Sequence, residues 1–154
     1  MATQKILTIS QLNKDAEFQI ALILGPLSWV VLYALKQPII DITWPLAAPW
    51  KFLWLAGISP VLEELVFRGY VQSWCYQQQW GRHRWGSLSG ANLATSVLFA
   101  ISHGLYHSPV WMLLVFFPSL VFGYFRDRYQ STKPAIALHI FYNSGFFLLW
   151  APTL

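Results

Sequence analysis

From Phe18 to Leu35 the chain runs eighteen residues without a formal charge. At about 1.5 Å per helical residue, such a run approaches the roughly 30 Å hydrocarbon core of a bilayer. Three further apolar stretches lie at about 91–106, 110–125 and 135–150, and a longer one at 46–75 carries only Lys51, Glu63, Glu64 and Arg68. A soluble domain covers its surface with charge, about 25 % of its residues on average. Here Asp, Glu, Lys and Arg make up 10 % of 154 residues. The sequence therefore predicts an all-α fold, a polytopic membrane helix bundle of about five spans, as a single domain over 1–154. Disorder is excluded by the apolar content, and a disulfide scaffold by the solitary Cys75.

The second stretch has Ser59-Pro60 at its middle. Proline lacks a backbone N–H and starts or kinks a helix, so a broken or bent span is expected there. Lys36-Gln37-Pro38 follows the first stretch where a cleaved signal would show small residues, which predicts an uncleaved anchor. With a cytoplasmic N-terminus, five alternating spans place Lys5, Lys14, Arg82, Arg84, Arg126, Arg128 and Lys133 inside, and Lys36 and Lys51 outside. This asymmetry obeys the positive-inside rule. Trp44, Trp50, Trp111 and Trp150 then fall at the outer interface, and Trp74, Trp80 and Trp85 at the inner one. The net charge of +4 follows from topology and calls for no nucleic acid. The expected location is the inner (plasma) membrane, multi-pass, with the lipid bilayer as partner.

Glu63, Glu64 and Arg68 are not explained by orientation. A charge at the centre of a membrane helix costs about 2.5–3.5 kcal/mol on insertion scales. Glu64 and Arg68 are four residues apart and can pair on one face, whereas Glu63 points roughly 100° away. A structural ion pair accounts for the former two; an unpaired intramembrane carboxylate is a functional candidate. His83 and His107 lie in polar turns. His103 and His139 lie inside apolar runs, and His139 has Asn143 one turn later. Taken singly, either histidine is as readily a hydrogen-bonded core residue. Together, a carboxylate and an imidazole can hold and deprotonate water, while an imidazole and an amide can donate to an oxyanion. That set suits hydrolysis of a carbonyl compound such as a peptide bond.

Glu63-Glu64-x-x-x-Arg68, Phe99-x-x-x-His103 and His139-x-x-x-Asn143, in this order and each on an apolar stretch, resemble the three motifs of the CPBP family. This family of CAAX proteases and bacteriocin-processing enzymes, also called ABI, comprises glutamic-type intramembrane endopeptidases. The resemblance covers Pro60 to about Gly145. It implies that Glu63 activates water, His103 positions it, His139 and Asn143 form the oxyanion hole, and Glu64 with Arg68 supports the site. It implies no cofactor and no metal. The substrate would be the C-terminal segment of a membrane-associated protein, and the short chain is similar to bacterial protein-sorting members of the JDVT-CTERM type.

Two other readings use the same residues. Glu63, Glu64, His103 and His139 supply oxygen and nitrogen ligands suited to zinc, and a scaffold or immunity-type protein would use the set for packing alone. Counting along the spans puts His103 near the outer end of the third and His139 near the inner end of the fifth. A shared site thus predicts strong tilt, or a dip of the chain around Gly104–Pro109 into the bundle.

Overall fold

A computed structural model describes residues 8–36, 40–105 and 109–151, with Leu35 and Lys36 described in backbone only. The expected dip at Gly104–Pro109 falls largely on 106–108, outside the described residues. A short 3-10 helix, Ile9–Lys14, precedes α1 (Ala16–Lys36), α2 (Trp44–Ala47) and α3 (Pro49–Leu53). A first π-helical turn (Trp54–Ile58) leads to α4 (Ser59–Glu64), and a second (Leu65–Val71) to α5 (Gln72–Gln77). After α6 (Gln79–Arg82) come β1 (Arg84–Trp85) and β2 (Leu88–Ser89), an antiparallel hairpin pairing Arg84 with Ser89. Helices α7 (Gly90–Gly104), α8 (Pro109–Tyr129) and α9 (Lys133–Leu149) complete the chain. Among the described residues the fold is all-α apart from this hairpin of two-residue strands, which the sequence reading did not anticipate.

Among the described residues, two helices are long and apolar enough to cross a membrane by themselves, over Ala16–Ala34 and Pro109–Tyr129. With 15 and 17 residues, α7 and α9 are shorter, so the expected five full spans are not all reproduced. What marks the environment as lipid is the pattern on α7. Its buried face carries Asn92, Thr95 and Ser96, while Leu93, Val97, Leu98 and Ile101 are exposed. That is the inverse of a soluble helix: apolar side chains face outward and polar ones bond internally. In the same way α1 exposes Ile20, Ile23, Leu27 and Val30.

Pro60 does not break its span. The chain is helical at every residue from 49 to 77, and the Ser59 N–H bonds to the Trp54 carbonyl, a five-residue step. The wider π turn accommodates a proline that would collide in α geometry. In this register the Leu55 carbonyl faces residue 60, whose nitrogen has no hydrogen. The Asn143 side-chain amide donates to it instead, at 3.2 Å. The interruptions occur at Ala48 and at Gln78, whose ψ of 150° is extended.

The described residues group into two compact units, one within 8–12 and 63–135, the other within 13–62 and 136–151. In the latter, α1 packs on α9 with Gly145 directly against the Trp29 indole, where any side chain would collide. Trp29 Nε1–H donates to the Tyr142 carbonyl at 3.2 Å, and the Tyr142 hydroxyl to the Ala21 carbonyl at 2.6 Å. Trp44, expected at the outer interface, is instead 2 % exposed and donates to the Phe147 carbonyl at 2.6 Å. Its indole N–H finds a carbonyl inside the protein, so it needs no headgroup. Just before α2, Asp41 accepts from the hydroxyl (2.6 Å) and N–H (2.9 Å) of Thr43. These bonds hold its carboxyl below the usual carboxylate range.

In the other unit α7 packs along α8, with α5 and the hairpin beside them. Helix α8 continues past Phe125, where an inner loop was expected, and its buried Asp127 is held there by the buried Gln72 and Ser89 and the half-buried Arg126.

Candidate active site

Glu63 and Glu64 close α4, immediately before the second π turn. Neighbours in a helix point about 100° apart, and the two carboxylates meet different surroundings. Glu64 is completely buried, its Oε2 3.3 Å from Nε of the equally buried Arg68. Arg68 Nη2 donates to the carbonyl (3.2 Å) and hydroxyl (2.8 Å) of Ser119 on α8. The guanidinium also sits 5.2 Å from the centre of the Phe99 ring. A buried charge pair is tolerable only when its remaining donors and acceptors are met, and Ser119 and Phe99 supply part of that. Glu64 is therefore held away from solvent.

Glu63 differs. Its side chain is 26 % exposed, and its Oε2 lies 3.8 Å from Nε2 of His103 in the last turn of α7, itself 25 % exposed. His103 Nδ1 is 2.9 Å from the Phe99 carbonyl. A carbonyl can only accept, so Nδ1 carries the hydrogen, and in the neutral ring Nε2 presents its lone pair toward Glu63. The Phe99 ring packs 4.4 Å from the imidazole and 5.0 Å from Phe67. Phe99 thus touches both the ion pair through Arg68 and the histidine. A gap of 3.8 Å between two acceptors is too long for a direct hydrogen bond. It is a span that one water, donating to each, can bridge.

The four residues Glu63, Glu64, Arg68 and His103 belong to one compact unit, and His139 and Asn143 to the other. His139 is 5 % exposed on α9, with Asn143 half-buried one turn later. Asn143 has a task that the sequence did not reveal: one of its two amide hydrogens serves the Leu55 carbonyl. The pattern that could have disclosed it is Pro60 five residues after Leu55, which leaves a carbonyl without its π-turn donor. Ser119 was missed as well. It follows Pro118 in an uncharged run, and only the packing of α8 shows that it faces Arg68.

Among the described residues, no group of three or more His, Cys, Asp or Glu side chains is placed to hold a metal ion. Glu64, one of the four ligands of the zinc reading, commits its carboxylate to Arg68.

Residues 45–145, more than half of the chain and all of the side chains above, match a protein family described as type II CAAX prenyl endopeptidase, Rce1-like. No curated protein and no solved structure matches the chain.

Proposed function

The chain belongs to the Rce1-like family of type II CAAX prenyl endopeptidases, and from that membership we propose that Glu63 activates a water molecule to hydrolyse a peptide bond near the C-terminus of a membrane-associated protein. Membership makes the chain a membrane protease of the CAAX type. The glutamic mechanism is supported by one observation above all: of two adjacent carboxylates, the partly exposed one faces a histidine ring nitrogen and the completely buried one an arginine.

A water between Glu63 Oε2 and His103 Nε2 donates one hydrogen to each, leaving its own lone pairs for attack. As its oxygen bonds to the scissile carbonyl carbon, Glu63 takes the proton, and the carbonyl oxygen becomes an oxyanion. His139 and Asn143, which carry N–H donors, are the residues we assign to that oxyanion. Collapse of the tetrahedral intermediate breaks the C–N bond, and Glu63 returns its proton to the leaving amine. Glu64 and Arg68 stay outside the proton traffic and hold the helix that presents Glu63.

Glu63→Gln removes the base while keeping the shape. We expect it to lower cleavage by about 10³-fold or more, within the range of general-base losses, with unchanged yield and unfolding temperature of the purified protein. Mass spectrometry of membrane and exported proteins from cells with wild type, with Glu63→Gln and without the gene would show shortened C-termini in the first alone. Full cleavage by Glu63→Gln would overturn the proposal. So would activity abolished by a chelator and restored by zinc, which would favour the metal reading.

A further inference from the structure

Glu64, Arg68 and Gln72 are spaced four residues apart and are all completely buried. On α8, Ser119, Gly123 and Asp127 are spaced likewise, and the two rows meet. Arg68 bonds to Ser119. Gln72 Nε2 donates to the Gly123 carbonyl and to Asp127 Oδ1, both at 2.9 Å. The other oxygen of Asp127, Oδ2, accepts from the Ser89 hydroxyl at 2.5 Å, and Ser89 is the N-cap of α7, accepting from the Asn92 N–H at 3.0 Å. Asn92 in turn donates to the Leu120 carbonyl at 3.0 Å. Gly123 permits this closeness, since a Cβ there would strike Asn92 and come within 3.0 Å of Gln72 Oε1.

One carboxylate thus grips, with its two oxygens, the two helical elements that carry Glu63 and His103. Apolar contacts in a lipid solvent leave a helix free to slide or turn, because lipid is as good a neighbour as leucine. Directional bonds between buried polar groups do not allow that freedom. Resting on the active-site reading above, we propose that Asp127, acting through Gln72 and Ser89, is a positioning residue that sets the separation of Glu63 and His103, with the Arg68–Ser119 contact as a second tie.

The test uses the full chain in lipid nanodiscs, with Cys75→Ala and spin labels on cysteines placed at Leu65 and Val97, both lipid-exposed and outside the site. Wild type should give one narrow distance distribution, and Asp127→Ala and Gln72→Met broader or shifted ones. Turnover is followed with a synthetic farnesylated peptide bearing a fluorophore and quencher across its C-terminal tripeptide bond. Asp127→Ala should lower kcat by about ten- to a hundredfold, as small misplacements of reacting groups do, with KM changed by less than about twofold. Ser119→Ala should lower kcat less, and Ser119→Thr, which keeps the hydroxyl, should restore it. If Asp127→Ala does not fold, Asp127→Asn keeps the shape and weakens only part of the grip. An unchanged distance distribution in the Asp127 and Gln72 variants overturns the proposal whatever the activity. A broadened distribution with unchanged kcat overturns it too. A wild type that cleaves neither this peptide nor any membrane or exported protein, with distances that still respond, sinks the active-site reading and leaves Asp127 as the residue that sets the register.

Discussion

Arg68 serves Glu64, Ser119 and Phe99 at once, so it is the residue whose loss the bundle should feel most. Arg68→Ala takes the guanidinium from a completely buried carboxylate, and we expect a loss of about 3–5 kcal/mol, the usual cost of breaking one side of a buried pair. Removing both charges, as Glu64→Gln with Arg68→Met, should cost clearly less than Arg68→Ala alone. Denaturant unfolding in detergent micelles measures both. Arg68→Lys should not rescue, since a single ammonium cannot bond to Glu64 and Ser119 in the guanidinium's fork geometry. At this scale the sequence was informative where partners are local. The four-residue step from Glu64 to Arg68 gives the ion pair, and the remaining carboxylate is the one we propose as the base. Partners supplied by another element were not legible: Ser119 for Arg68, or Leu55 for Asn143, follow from packing, which no spacing within one helix encodes. Asp127 was not singled out for a related reason: it stands between two arginines in the sequence, and its partners Gln72 and Ser89 come from other elements.

Among the elements, the stretch around Pro60 departs furthest from expectation. Ser59-Pro60 correctly marked an irregularity, but the chain resolves it by widening the helix instead of breaking it. The decisive group is the Leu55 carbonyl, orphaned by proline and met by Asn143. Asn143→Ala should therefore cost about 1 kcal/mol, as loss of one part-buried hydrogen bond does. In a Pro60→Ala background the new N–H can serve Leu55, and the same substitution should cost less than half as much. A thermodynamic cycle of the four proteins by thermal unfolding reads the coupling. Equal costs in both backgrounds would remove the assigned role. The contact of α1 with α9 is a second case: Gly145→Val drives a side chain into the Trp29 indole, and overpacking of this kind typically costs about 1–3 kcal/mol. The contact of α1 with α9 was not predictable, since Gly145 read only as the end of the stretch that resembles the family.

For the molecule as a whole, the scarcity of charge established the membrane class, and the inside-out pattern of α7 gives it a structural counterpart. The number of spans was less legible, because helices of 15 and 17 residues read as full spans once their apolar flanks were included. Orientation is open to direct measurement. In a Cys75→Ala background, single cysteines at Ser87 and at Ser131 should react with an impermeant maleimide from the cytoplasmic side, and one at Asp41 from the opposite side. Labelling of Ser87 and Ser131 from different sides would contradict the orientation drawn from the basic residues. The two π turns that flank α4 have a consequence for how chains of this kind can change length. A π turn is an α-helix with one residue more than its hydrogen-bond pattern needs. Deleting a single residue between Trp54 and Ile58 would therefore remove the bulge and leave an unbroken α-helix, with Glu63 and the residues after it close to their present faces. The same deletion in regular α-helix would turn everything beyond it by about 100°. In this stretch a one-residue gap between related chains is thus a π turn gained or lost, and alignment should absorb it there and keep the glutamates in register.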